Sequence, residues 1–217
     1  MDVRMSARKA ALVLGSAWIL MTVPGCAGFW SQMLYFGQGQ MVPAEYDDLS
    51  ERRVAVVCVS ENSSYGTGQV LAREVSGILR RNVEEIDLVR PDQIADWIDR
   101  EGWDEIDYRE IGRGVKAERV IAIDLAGFGL YKGSSMYRGR AHVTVTVYDM
   151  TDQGREVFRK TLPEVRFPLT GPYPVGDISE ATFRRTFLQV LARNITKYFH
   201  EYDLLDDFGA DPAFIGT

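Results

Sequence analysis

The order of apolar and polar residues along the chain alternates between the patterns of strands and helices. Residues 53–60 form an unbroken run rich in β-branched side chains, which is typical of a strand covered on both faces. Residues 65–82 then place their apolar side chains at helical spacing along one face. The pattern therefore predicts a buried strand followed by an amphipathic helix.

Shorter elements follow. We predict a strand over 86–89, a helix that begins near Pro91, a short helix over 107–115 and a second buried strand over 120–125. This alternation of strands and helices is typical of a sheet with parallel strands.

The second half of the chain changes to an antiparallel pattern. Residues 141–148 alternate valines with polar side chains, and residues 155–162 supply a partner strand after a turn. Residues 163–177 contain four prolines and predict an irregular loop, whereas residues 178–200 predict a long final helix. The whole order predicts an α/β (α+β) sandwich, with a single mixed β-sheet and helices packed on it. From the right-handed crossover rule we expect the early helices on one face of that sheet.

The start of the chain predicts a targeting segment. Three basic residues among the first nine precede an apolar stretch over 10–23. A helix of that length spans about 21 Å, less than the ~30 Å hydrocarbon core but suited to a signal peptide. Gly25 directly before Cys26 resembles a lipobox, although Pro24 is uncommon in that motif.

We interpret residues 1–25 as a lipoprotein signal peptide and Cys26 as the lipidation site, carrying acyl chains such as palmitate. Two or more such chains anchor a protein stably in a membrane. A plain signal peptide or a short anchor, with Cys26 incidental, is the alternative. Residues 26–51 then predict a tether, residues 52–203 the domain and residues 204–217 an acidic tail.

Charge and chemistry exclude several functions. The net charge of −6 argues against nucleic-acid binding, which needs a basic face. His142 and His200 are the only histidines, and their positions suggest no metal site. Cys58 lies in the first buried strand, so we interpret it as a small core residue. The acidic pairs lie at element ends, which favours solvated faces over the paired catalytic carboxylates of a glycosidase. We predict no enzyme activity, no metal and no cofactor.

Segment 127–140 interleaves glycines with aromatic, methionine and arginine side chains. It predicts either a mobile loop or an exposed hairpin that binds a partner, since aromatic residues and arginine are enriched at interface anchors. The candidate residues are Phe128, Tyr131, Met136, Tyr137 and Arg138. Tyr173, in the proline-rich loop, is a second candidate.

Three motifs resemble those of a set of envelope lipoproteins. They are VAVV at 54–57 followed by Asn62-Ser63, VKAERVI at 115–121 and VTVTVYDMTDQG at 143–154. Together they resemble the anticodon-binding-like α/β domain of the N-terminal part of TolB, of the curli secretion lipoprotein CsgG and of LpoB-type activators of peptidoglycan synthases. The resemblance covers about residues 52–201, and Lys116 departs from the family's usual glycine.

The resemblance implies a non-catalytic periplasmic module that contacts other envelope proteins, with oligomerisation left open. We expect anchoring at the periplasmic face of the outer membrane, because Ala27-Gly28 carries no aspartate retention signal. The alternative is a periplasmic glycan- or small-ligand-binding module that uses Tyr131 and Tyr137 as a stacking platform.

Overall fold

The computed structural model describes residues 41–60, 65–101 and 107–204. The predicted signal peptide, Cys26, the tether before residue 41 and the tail after residue 204 lie outside these ranges. The strands are β1 (Met41–Val42), β2 (Arg53–Ser60), β3 (Asp87–Leu88), β4 (Arg119–Lys132), β5 (Met136–Asp149), β6 (Arg155–Thr161), β7 (Val165–Phe167), β8 (Tyr173–Pro174) and β9 (Tyr202–Asp203). The helices are α1 (Tyr65–Asn82), α2 (Pro91–Glu101), α3 (Tyr108–Gly114) and α4 (Glu180–Thr196), with a 3-10 turn at Met150–Asp152.

The main sheet has the strand order β3-β2-β4-β5-β6. β2 pairs in parallel with β3 and β4, whereas β5 pairs antiparallel with β4 and β6. β7 and β8 add to the first part of β5, and β1 pairs with β9 in a separate two-stranded sheet. The predicted α/β architecture, a mixed sheet with helices packed on it, is confirmed.

Helices cover both faces of the sheet. α1 and α4 pack on the face that carries Val56 and Ile123, while α2 and α3 pack on the face that carries Ala55 and Val57. The expectation that the early helices share one face is therefore wrong. The chain moves from β2 to β3 in one direction and back past β2 to β4 in the other, so right-handed crossovers place α1 opposite α2 and α3.

The proline-rich segment 163–177 is more regular than its composition predicts. It contributes β7 and β8, and both pair with the first part of β5. Phe167 is fully buried, and its ring centroid lies 5.7 Å from that of Phe183 on α4. The prolines stand beside or at the ends of these strands, where a missing N–H group costs no hydrogen bond of the sheet.

Residues 41–51 pack on the domain rather than leading away from it. Leu49 is fully buried, and the Tyr46 N–H donates to the Tyr198 carbonyl at 2.9 Å. Residues 41–51 of the predicted tether thus contact the domain, and residues 26–40 lie outside the described ranges. No helix among the described residues is long and apolar enough to cross a membrane.

Candidate functional site

The β4–β5 hairpin extends beyond the end of β2. β2 pairs with β4 only as far as Leu125, whereas β4 continues to Lys132. Residues 126–132 therefore add about 23 Å of hairpin beyond this pairing, at ~3.3 Å per residue. Gly127, with a φ of +59°, lies at a register shift that bends the strand. Segment 127–140 is thus a hairpin of paired strands, and its binding of a partner stays a prediction.

One face of the hairpin packs against α4. The Tyr137 and Phe183 ring centroids are 5.0 Å apart, and those of Phe128 and Phe187 are 5.5 Å apart. Tyr137 is only 3% exposed, so the expectation that its ring lies on an exposed surface is wrong. Apolar rings in a glycine-rich stretch give no periodic sign of the helix that covers them, so the sequence does not predict this burial.

Tyr131 lies at the border of this packed face. Its ring is 5.1 Å from that of Tyr137, and its hydroxyl donates a hydrogen bond to Glu180 at the start of α4. This bond raises the pKa of Tyr131 and lowers the pKa of Glu180. The Tyr131 side chain is nevertheless 43% exposed, so it is available to a partner while its orientation is fixed.

Exposed apolar side chains concentrate at this end of the molecule. Of six large exposed apolar residues in the described part of the chain, four belong to the hairpin or to segment 163–177. We call these four, Tyr131, Met136, Leu169 and Val175, the hairpin-end surface. The Val175 N–H donates to the Ser135 carbonyl at 3.0 Å, which joins the second segment to the hairpin turn. Tyr173 is half-buried and pairs with Tyr137, so it supports this surface from beneath.

The opposite face of the hairpin is cationic. Arg138 and Arg140 alternate with inward-facing Tyr137 and Gly139, so they point away from α4. Arg140 lies directly opposite Arg166 of β7. Beside them is a groove of about 330 Å³ that is lined by Tyr131, Lys132, Gly133, Arg138, Gly139, Arg140, Glu164 and Arg166.

Most of these cations have no acidic partner. Arg166 pairs with Glu164, but no described carboxylate pairs with Lys132, Arg138 or Arg140. The Nε atom of Arg138 is enclosed and has no hydrogen-bond partner within the described chain. Sequence reasoning selected Arg138 and missed Arg140 and Arg166, although the alternation of Arg138, Arg140 and His142 along one strand was a usable signal for a basic face.

Two side chains with nucleophilic or acid–base potential, Cys58 and Tyr108, are held in environments that keep them protonated. Burial, together with the charge of Asp124, raises the pKa of the Cys58 thiol to about 12, which disfavours the reactive thiolate. The Tyr108 hydroxyl donates to Asp124 at 2.5 Å, and burial and this bond raise the pKa of Tyr108. Within the described ranges, no group of three or more His, Cys, Asp or Glu residues is placed to hold a metal ion.

No protein-family model matches the chain, and no curated protein matches it. Several solved structures match the chain. The chain is similar to the PelC dodecamer from Paraburkholderia phytofirmans, with 11% identity, 75% of this chain and 97% of that chain covered, and a TM-score of 0.48. It is similar to lipoprotein GNA1162 from Neisseria meningitidis, with 9% identity, coverage of 67% and 98%, and a TM-score of 0.45.

The chain is also similar to the LpoB C-terminal domain from Salmonella enterica, with 14% identity, coverage of 55% and 87%, and a TM-score of 0.39. An LpoB domain, which the sequence motifs also resemble, is thus among the solved structures that match.

Proposed function

We propose that this chain is a lipid-anchored protein of the bacterial cell envelope that binds other envelope proteins through the end of its β4–β5 hairpin and catalyses no reaction. The hairpin-end surface carries the proposal. Four exposed apolar side chains stand on the hairpin and on the segment that β7 and β8 join to it, and exposed apolar side chains grouped in this way mark sites of protein interaction.

The hairpin-end surface lies far along the sheet from residues 41–51. Residues 41–51 pack at the end of the sheet where β4 begins, since Asp48 bonds Arg119 there. The hairpin turn lies at the other end of β4, at most roughly 43 Å away for thirteen steps of ~3.3 Å. The hairpin turn is therefore at the far end of β4 from residues 41–51.

Lipidation is tested by fractionation of cells that produce the chain with Cys26→Ser. Acylation requires the thiol, so we expect the wild-type protein in the membrane fraction and the variant in the soluble periplasmic fraction with its fold intact. Separation of inner and outer membranes on a density gradient tests the outer-membrane assignment. Membrane retention of the Cys26→Ser variant equal to wild type would contradict lipid anchoring.

Partner binding is tested by affinity capture from detergent-solubilised envelopes. Alanine at Met136, Leu169 and Val175 should remove captured envelope proteins, whereas alanine at Val70, an exposed apolar residue on α1, should leave them unchanged. Unaltered capture by the triple variant would contradict the assignment of this surface. Self-association of the purified chain, measured by analytical ultracentrifugation, tests whether the partners include further copies of it.

A further inference from the structure

We propose that the cationic face of the hairpin binds an extended acidic segment of a partner protein. This inference rests on the proposed function, because it names the chemistry of the segment that the hairpin receives. The face is defined by Lys132, Arg138, Arg140 and Arg166, and the groove beside it is lined by these four cations and a single carboxylate, Glu164. A local excess of positive charge on a chain of net charge −6 calls for an anionic occupant.

A bound anion would stabilise these cations, because most of them have no acidic partner in the described part of the chain. Arg166 is paired with Glu164, but Arg140, which lies directly opposite Arg166, has no acidic partner among the described residues, and like charges in that position repel. Arg138 likewise has no carboxylate partner among the described residues. Carboxylates placed between these guanidinium groups would accept charge-assisted hydrogen bonds, in the bidentate geometry that arginine favours.

Spacing indicates an extended peptide. Arg138 and Arg140 are two residues apart on one strand, which places them roughly 7 Å apart along the strand. Alternate residues of an extended segment have the same spacing, so acidic residues at every second position of the partner match these arginines. The space beside Gly133 is open, whereas the Arg140 side chain lies over Gly129, whose added Cβ would be 3.3 Å from Arg140 Nε.

An apolar neighbour favours a peptide over an acidic glycan. Met136 follows the same alternation as Arg138 and Arg140, and it is 37% exposed. A protein segment can place an apolar side chain on Met136 and carboxylates on the arginines, whereas an acidic glycan supplies only the anions.

The test uses the purified full-length chain in detergent and a fluorescent peptide in which glutamate alternates with serine and leucine stands at one end. Anisotropy should show saturable binding that weakens as salt rises. The double variant Arg140→Gln with Arg166→Gln should weaken binding at least tenfold. The matched variant Arg73→Gln with Arg80→Gln removes two exposed arginines of α1 and should change binding less than twofold.

Three further probes identify the occupant: a peptide of equal composition with its glutamates in one block, an oligogalacturonate and phosphatidylglycerol vesicles. The alternating peptide should bind more tightly than each of them. Its failure to bind, equal weakening by both double variants, or tighter binding of the glycan or the vesicles would overturn the proposal. Circular dichroism confirms that each variant is folded, and Lys132→Gln gives a second, milder variant for the same comparison.

The two proposals fail separately. If the acidic peptide does not bind but envelope proteins are still captured through Met136, Leu169 and Val175, the proposal that the cationic face binds an acidic segment is wrong. The proposed function then stands. If the peptide binds but capture from envelopes does not depend on those three residues, the proposed function is wrong for this surface.

Discussion

Asp48, in the segment before β2, lies against the guanidinium group of Arg119 at the start of β4. Arg119 donates from Nη2 to Asp48, from Nη1 to Asp149 at 2.6 Å and from Nε to the Tyr46 hydroxyl at 3.2 Å. The Arg119 side chain is only 5% exposed, so these oxygens replace most of its water. The group joins residues 41–51, which follow the proposed tether, to the sheet that carries the hairpin.

Removal of the Arg119 charge should destabilise the domain strongly. Arg119→Gln leaves Asp149, which is only 13% exposed, without its cation, and breaking a buried ion pair costs about 3–5 kcal/mol. Arg155→Gln is the control, because Arg155 pairs with Asp152 on the surface and such pairs contribute about 0–1 kcal/mol. Urea unfolding measures both free energies. Equal losses of unfolding free energy in the two variants would show that Arg119 stabilises the domain no more than a surface ion pair does.

Low pH should weaken the interaction of Asp48 with Arg119. The hydrogen bond from Arg119 holds the pKa of Asp48 below its ordinary value of 3.8. A lowered pKa gives stability that is present above the ordinary value and is lost as pH falls through the lower folded value. We expect the free energy of unfolding to decrease on acidification below about pH 4, and Asp48→Asn to reduce this dependence. An identical pH profile for wild type and Asp48→Asn would contradict the role of this carboxylate.

The two tyrosines of the hairpin should differ in their contribution to stability. Tyr137 is buried against Phe183, so Tyr137→Ala should cost about 3–5 kcal/mol, as for other large core aromatics. Tyr131→Ala should cost about 1 kcal/mol, because the ring is 43% exposed and loses mainly its bond to Glu180. Thermal or urea unfolding separates the two. A larger loss for Tyr131 would mean that the border residue, and not the inner one, holds the hairpin to α4.

The arginine pair of the cationic face should reduce the stability of the free protein. Arg140 has no acidic partner among the described residues and faces Arg166, so Arg140→Gln should raise the free energy of unfolding by about 0.2–1 kcal/mol. Added salt should shrink this difference, since it screens exposed charges. Lys160→Gln, which removes a pair with Glu45, should not stabilise the protein. A loss above about 1 kcal/mol for Arg140→Gln would indicate that Arg140 has a structural role.

The regular elements could be predicted because their local patterns are complete. The first helix is observed with the predicted bounds, Tyr65–Asn82, and the first buried strand is Arg53–Ser60. The sides of the sheet could not be predicted from those patterns, because the direction of each crossover depends on the position of β3. β7 and β8 were missed because three residues or fewer in a proline-rich segment have no measurable period.

Only part of the candidate site could be predicted from the sequence, because some of its residues are positioned by distant segments. Glycine, aromatic and arginine residues in 127–140 indicated a special segment, and both Tyr131 and Met136 are exposed there. Tyr137 was misplaced because its burial depends on α4, more than forty residues later in the chain. Arg166 was missed because only the pairing of β7 with β5 brings it opposite Arg140.

The central claim is that the hairpin end meets envelope proteins in the living cell. Its most direct test places a photo-crosslinking amino acid at Met136 or Leu169 in one set of strains and at Arg73, on the exposed side of α1, in another. After irradiation and mass spectrometry, we expect the first two positions to yield discrete adducts with envelope proteins and position 73 to yield none of them. No adduct from positions 136 and 169, or the same adducts from position 73, would contradict the account.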